Sequence, residues 1–261
     1  MALKAILFDL DDTLVVEEAS VEEAFLATGA YARQRYGLDP QALTQSIRQH
    51  ARRIWQAAPT IIYCRTIGIS SWEGLWARFL GDDPQMSTLR EWAPAYRREA
   101  WASALAEHGV NDPFFAEELS TAFQEERRSR HLPFPEAASI LRELEKKYRL
   151  GLITNGVPDL QREKLEGADL TRYFDSITIS GDIGAGKPDP RIFEVAMEQL
   201  ATRPETALMV GNSLKRDIAG AQRAGLRAVW VNRSGVACRE DITPHAEVRN
   251  LSDLLEDRIC E

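Results

Sequence analysis

At 261 residues, with 44% hydrophobic and 28% charged residues, the chain has the makeup of an ordinary soluble globular protein of one large or two modest domains. A formal net charge of -8 argues against a general nucleic-acid binder or a protein of acidic membranes, and no apolar run approaches the roughly 20 residues of a membrane span. The N-terminal apolar run is broken by Asp9, too short and too acidic for a signal peptide, and Cys64, Cys238 and Cys260 lack any CxxC spacing, so a disulfide framework or zinc site is not expected and a reducing cytoplasm is.

In chain order, the first element is an apolar strand from Lys4 to Asp9. It ends in Asp9, Asp11 and Asp12, because a buried strand cannot run on into unpaired charge. Residues two apart on an extended backbone share a face, so Asp9 and Asp11 are expected to point into one cavity while Leu10 packs away. Two carboxylates aimed at one point repel, and a bound cation is the natural relief; the plainer reading is a solvated acidic turn. From Glu17 to Arg130 the pattern is helical, over Val21–Tyr36, Pro40–Ala57, Ser87–Ala106 and Asp112–Arg130. The stretch Pro59–Trp72 carries Pro, Gly and Ser and reads as a loop, with a short β-branched run at Thr60–Tyr63.

The rest of the chain alternates. Helix is expected at Pro135–Tyr148, strand at Leu150–Thr154, helix at Leu160–Glu166 and strand at Ser176–Ser180. Helix Pro190–Leu200, strand Ala207–Val210, helix Lys215–Ala224 closed by Gly225, strand Ala228–Val231 and a final helix Leu251–Ile259 follow. Such alternation implies an α/β fold, a Rossmann-like parallel sheet with helices on both faces. The first strand belongs to that sheet, so residues 1–16 and 131–261 form the α/β core, and residues 17–130 an all-helical domain inserted after the first strand. Open parallel sheets bind ligands beyond the carboxyl ends of their strands. Asp9 and Asp11, Thr154-Asn155-Gly156, Gly181-Asp182 and Gly211-Asn212-Ser213 are therefore expected to converge, with the insertion able to cover them as a lid.

Four motifs carry a resemblance. They are Asp9-Leu10-Asp11-Asp12-Thr13, then Thr154 with Asn155-Gly156, then Lys187 in Gly186-Lys187-Pro188-Asp189-Pro190, then Gly211-Asn212-Ser213 with Asp217 downstream. Together, and in this order at strand ends, they resemble the haloacid dehalogenase superfamily, in its phosphatase branch with a helical cap.

The resemblance implies Asp9 as the nucleophile that forms an aspartyl-phosphate, with Lys187 cancelling the repulsion between carboxylate and phosphate. It implies Asp11 as general acid and then base, a role that phosphate esters need and that halides do not. Thr154, Asn155 and Lys187 would bind phosphate. Mg²⁺ would be held by the Asp9 carboxylate, the Asp11 main-chain carbonyl, Asn212 and Asp217. Asn212 departs from the Asp usual at its position in the family. It can instead be read as a helix N-cap, and Asp217 as a first-turn acid. Trp55, Tyr63, Trp72 and Trp76 in the insertion read as core, with Arg65 the best single guess for a second anion contact.

The expected function is Mg²⁺-dependent hydrolysis of a small phosphorylated metabolite in the cytoplasm, with neither nucleic acid nor membrane as partner. A phosphomutase would use the same residues. A non-catalytic phosphate-binding protein is the other alternative, favoured by Asn212 and opposed by Asp9, Asp11 and Lys187.

Overall fold

The short apolar runs of the chain become strands. In the computed structural model, which describes residues 2–238 and 241–256, these are β1 (Ala5–Phe8), β2 (Arg149–Thr154), β3 (Ser176–Ile179), β4 (Ala207–Gly211), β5 (Arg227–Val231) and β6 (Ala246–Val248). They form one sheet in the order β3-β2-β1-β4-β5-β6 with every neighbouring pair parallel. This is the doubly wound order whose direction reverses between β1 and β4. β6 was not expected: it is three residues long with Glu247 in its middle, too short and polar for periodicity to register.

Two compact units divide the chain. One holds the sheet: the residues up to Val16, then Leu132–Gly156, then those from Gln161 on. The other is Glu17–His131 with Val157–Leu160. The division read from the sequence differs at His131 and at the four residues from Val157, whose Val157 and Leu160 are buried among the helical unit's apolar side chains.

The helical unit contains α1 (Glu18–Tyr36), α2 (Pro40–Trp55), α3 (Ile61–Ile67), α4 (Ser71–Trp76), α5 (Pro84–Glu107) and α6 (Pro113–Arg128). Asp39, Asp83 and Asp112 each cap a helix that starts with proline, and with that cap α5 begins at Pro84, ahead of the expected Ser87. Helices α3 and α4 replace the expected loop. Gly68, at φ +83°, closes α3, and Ser70 with Glu73 forms a reciprocal capping box that opens α4. Composition pointed to a loop there, whereas the glycine and serine are helix punctuation. Gly74 in α4 is needed because a Cβ there would overlap the Trp55 ring. Trp55 and Trp76 are buried, and Tyr63 and Trp72 pack against the same core, as their spacing implied.

The sheet unit adds α7 (Ala137–Leu144), α8 (Pro158–Gly167) from Gln161 on, α9 (Ser180–Ile183), α10 (Pro190–Gln199) and α11 (Ala219–Arg223). Alternation along β1 builds its two faces: Ile6 and Phe8 are buried with Ile140, Leu141 and Leu144 of α7, Ala5 and Leu7 with Ile192, Phe193 and Ala196 of α10. Helix α7 stops short of the expected Tyr148. The expected helix Lys215–Ala224 is a wider, π-helical turn (Leu214–Ile218) followed by α11. The expected final helix is a 3₁₀ turn at Leu251–Leu255, and the rest of it lies outside the described residues, as does Cys260. Cys64 is buried and Cys238 exposed, and neither forms a disulfide among the described residues. Among the described residues no helix is long and apolar enough to cross a membrane.

Candidate active site

Asp9 directly follows β1, and its N–H donates to the Val210 carbonyl of β4 at 3.0 Å. It therefore sits where the strand order reverses, the position at which open parallel sheets take ligands. A cavity of about 280 Å³ opens there, lined by Asp9, Asp11, Asp12, Thr154, Asn155, Lys187, Asn212, Ser213, Arg216 and Asp217. Three strand ends named from sequence thus meet, those of β1, β2 and β4. The end of β3 does not join them: Asp182 is paired with Arg162 at 2.7 Å on the surface, outside the cavity lining. Arg65 lies on α3 in the helical unit, donating to Gln56 Oε1 at 2.6 Å.

Lys187 is the centre of charge. Its Nζ lies 2.5 Å from Asp9 Oδ1 and 2.7 Å from Asp217 Oδ1, and donates to the Ile153 carbonyl at 2.9 Å. All three side chains are nearly excluded from solvent: Asp9 is 7% exposed, Lys187 4% and Asp217 1%. Burial pushes the Asp9 carboxyl up to about 7; Lys187 opposes this, and the charges of Asp217 and Asp11 add to it. Burial alone would lower Lys187, but Asp217 and Asp9 outweigh it and hold the ammonium above its ordinary value. One fixed cation thus serves two buried carboxylates, and the centre is short of positive charge.

Local bonds hold these groups in place. Thr13, fully buried, donates to Asp9 Oδ2 at 2.9 Å. The Asn155 side chain grips the main chain of Lys187 twice, accepting from its N–H at 2.7 Å and donating to its carbonyl at 2.8 Å. Asp217 Oδ2 accepts from the Ser213 N–H at 2.8 Å. Gly211 ends β4 as glycine because a Cβ would stand 2.5 Å from the Asp217 carboxyl. Trp230 Nε1 donates to the Asn212 carbonyl at 2.8 Å and so fixes the turn after β4.

Asp11 has its own set of partners. It lines the same cavity as Asp9, but the two carboxylates do not share one relief of charge. Asp11 Oδ1 pairs with Lys164 at 2.9 Å, and Oδ2 accepts from Gln161 at 3.0 Å. Gln161 Nε2 also donates to Thr154 Oγ1 at 2.6 Å. Lys164 and Gln161 escaped the sequence reading because charged and polar side chains on a helix read as solvated. Their three-residue spacing, which puts them on one face directly after the Thr154 loop, was the available signal. Asp12 adopts φ +58°, a left-handed conformation that aspartate tolerates.

Among the described residues no three His, Cys, Asp or Glu side chains are grouped to hold a metal by themselves. The cavity does offer hard oxygens: the Asp9 and Asp217 carboxylates and the Asn212 amide border it. Few protein ligands suffice for Mg²⁺, which keeps several waters, and a dication would supply the positive charge that this centre lacks.

Comparison with known proteins places the chain among its relatives. A family model for haloacid dehalogenase-like hydrolase matches residues 3–225. Phosphoserine phosphatase of Thermus thermophilus is 38% identical over 253 residues, 97% of this chain and 98% of that protein. Glyceraldehyde 3-phosphate phosphatase of Methanothermobacter thermautotrophicus is 38% identical over 130 residues, 49% of this chain and 56% of its own. Among solved structures, 2-haloacid dehalogenase of Pseudomonas syringae pv. Tomato superposes with a TM-score of 0.62 at 29% identity, covering 97% of this chain and 96% of that one. Because the matched region contains every residue that lines the cavity, the chain belongs to the haloacid dehalogenase-like hydrolase family.

Proposed function

We propose that this hydrolase cleaves the phosphomonoester of a small metabolite through a covalent acyl-phosphate on Asp9. Its 38% identity with a phosphatase, over 97% of the chain, makes it a phosphatase of its family. The observation that carries the reading over dehalogenation is Asp11, a carboxyl held beside Asp9 on the same cavity wall. A halide leaves without a proton, whereas an alkoxide needs one. The helical unit is, on this reading, the cap that selects the substrate, and O-phosphoserine heads the panel to be tested.

An Asp9 oxygen attacks phosphorus and the ester P–O bond breaks, its electron pair leaving on the alkoxide, which takes a proton from Asp11. Water then attacks phosphorus, Asp11 takes its proton, and the bond from phosphorus to Asp9 breaks to release inorganic phosphate. Lys187 binds the phosphoryl oxygens beside Asp9. The Thr154 hydroxyl accepts from Gln161 and donates only weakly, to the Asn155 carbonyl at 3.5 Å, so its hydrogen can turn to a phosphate oxygen. The Asn155 side chain is engaged with Lys187, so its contribution to phosphate comes through the main chain. The Asp9 and Asp217 carboxylates, the Asp11 carbonyl and the Asn212 amide would hold Mg²⁺. When bound, Mg²⁺ neutralises charge on the phosphoryl group.

The test is phosphate release from phosphorylated metabolites with and without Mg²⁺, alongside halide release from haloacids. Mg²⁺-dependent phosphate release and no halide release are expected; the reverse pattern sinks the reading. In the same assay Asp11→Asn should cost about 10²–10⁴-fold on an alkyl phosphate and much less on an aryl phosphate, whose phenolate leaves without a proton. Equal losses in the chemical step would remove Asp11 as the acid.

Asn212→Asp is expected to tighten Mg²⁺ by about tenfold, because it adds a charged oxygen to a centre already short of cation. Stabilisation of the metal-free protein by added Mg²⁺ in thermal melts reads this without activity. An unchanged midpoint in Asn212→Asp, with a large weakening in Asp217→Ala, would assign the metal to Asp217 and leave Asn212 out of it.

A further inference from the structure

We infer that Lys164 and Gln161 are positioning residues that hold the Asp11 carboxylate in its working orientation and tie it to the phosphate pocket at Thr154. The inference rests on the proposed role of Asp11.

Both oxygens of Asp11 are gripped from α8, by residues one helical turn apart. Lys164 is 1% exposed and meets Oδ1 at 2.9 Å; Gln161 is 1% exposed and donates to Oδ2 at 3.0 Å. A lysine this far from water is costly to place, and an ion pair with well-directed bonds is what makes it tolerable. The Gln161 carbonyl Oε1 is buried with no hydrogen-bond partner. An unsatisfied acceptor opposes folding. Its amide orientation is nevertheless dictated, since Nε2 alone can donate to Asp11 Oδ2 at 3.0 Å and Thr154 Oγ1 at 2.6 Å. A side chain that leaves its own carbonyl unpaired while joining two site residues serves the site rather than stability.

Asp11 belongs to a turn that Asp12 enters at φ +58°, with its N–H bonded to the Val15 carbonyl at 2.8 Å. That turn fixes the main chain of Asp11 but not its carboxylate, which α8 orients. A single amide spans the acid and the Thr154 hydroxyl, so proton donor and phosphate-binding group share one frame. The two residues differ in one respect. Lys164 reaches the site through Asp11, whereas Gln161 reaches it through both Asp11 and Thr154.

Kinetics of Lys164→Met, Gln161→Leu, Asp11→Asn and the double variant Asp11→Asn with Lys164→Met, on one alkyl and one aryl phosphate with Mg²⁺, test this. The Asp11 side chain is 28% exposed, so water can solvate it when Lys164 is replaced, and thermal melts check that each variant folds. Lys164→Met is expected to lower kcat for the alkyl phosphate by about 10–100-fold, since small misplacements of a catalytic group have costs of that order. Its kcat for the aryl phosphate and both KM values should stay near the parent's. Gln161→Leu should show the same kcat split together with a raised KM for both substrates. In the Asp11→Asn background, Lys164→Met should add no further loss, because it acts through the group already removed. If Asp11→Asn is selective for the alkyl phosphate but the helix variants lose both substrates equally, or add their full loss in the double variant, the inference fails while Asp11 remains the acid. If Asp11→Asn itself loses both equally, the acid role falls and the inference falls with it. Should Lys164→Met not fold, Gln161→Leu alone decides by its kcat split.

Discussion

Asp9→Asn is expected to abolish phosphate release while leaving the protein folded and, without metal, no less stable than the parent above neutral pH. An amide cannot form the acyl-phosphate, so the loss is complete rather than partial. The stability expectation follows from charge. Lys187 keeps Asp217 at 2.7 Å as its partner, and the new pair is balanced where the parent has two carboxylates to one ammonium. The pH dependence has a definite sign. The Asp9 carboxyl rises from 3.8 to about 7 on folding, so between those values the folded protein binds a proton that the unfolded chain has lost. Stability from this group is therefore lost as pH climbs through that window, and it is fully lost above about 7. Chelator-treated parent and variant, melted from pH 4 to 8, should diverge, with the parent falling more steeply. Turnover in a variant preparation free of contaminating phosphatase would remove Asp9 as nucleophile. Parallel melting curves would show that its carboxyl is ionised throughout.

Much of this site was legible in the sequence for one physical reason. A strand buried on both faces must shed its charge at its end, so polar residues that follow an apolar run mark the ligand side of a parallel sheet. Asp9 and Asn212 follow β1 and β4 in this way and Thr154 ends β2, and the cavity lies among them. Lys187 and Asp217 could be placed only through the family motifs, because a lone lysine in a loop and an acid in a helical turn have commoner explanations. The rule failed at β3, where Asp182 finds Arg162 and stays at the surface. β3 lies at the sheet edge, beyond β2, and the cavity at the reversal is lined from the ends of β1, β4 and the adjacent β2 but not from β3. The grip of α8 on Asp11 was illegible because periodicity assigns polar helix residues to solvent, and nothing local reports that a lysine's partner stands 153 positions away. Helices α3 and α4 present the opposite case: composition suggests a loop there, while Gly68, Ser70 and Glu73 carry plain helix punctuation.

Lys187→Met should destabilise the protein by about 3–5 kcal/mol as well as inactivate it, because it strips the cation from two buried carboxylates rather than removing a surface charge. Asp9 and Asp217 would be left with no ammonium between them, Asp217 at 1% exposure. At about 2–4 °C per kcal/mol for a chain of this size, the melting temperature should drop by on the order of 10 °C. Two controls separate charge from lost packing. Adding Asp217→Asn to Lys187→Met should recover much of the stability and none of the activity, because it removes one of the two unpaired charges. Lowering the pH should also narrow the gap between Lys187→Met and the parent. Lys187 is what holds the Asp9 carboxyl down against burial, so without it Asp9 keeps its proton to higher pH, and the variant's penalty grows as pH rises and fades as Asp9 becomes neutral. A variant that melts within a degree or two of the parent at neutral pH would show that Lys187 does not balance these carboxylates. A large drop that neither low pH nor Asp217→Asn relieves would make the lysine's aliphatic stem, not its charge, the part that holds the strand ends together.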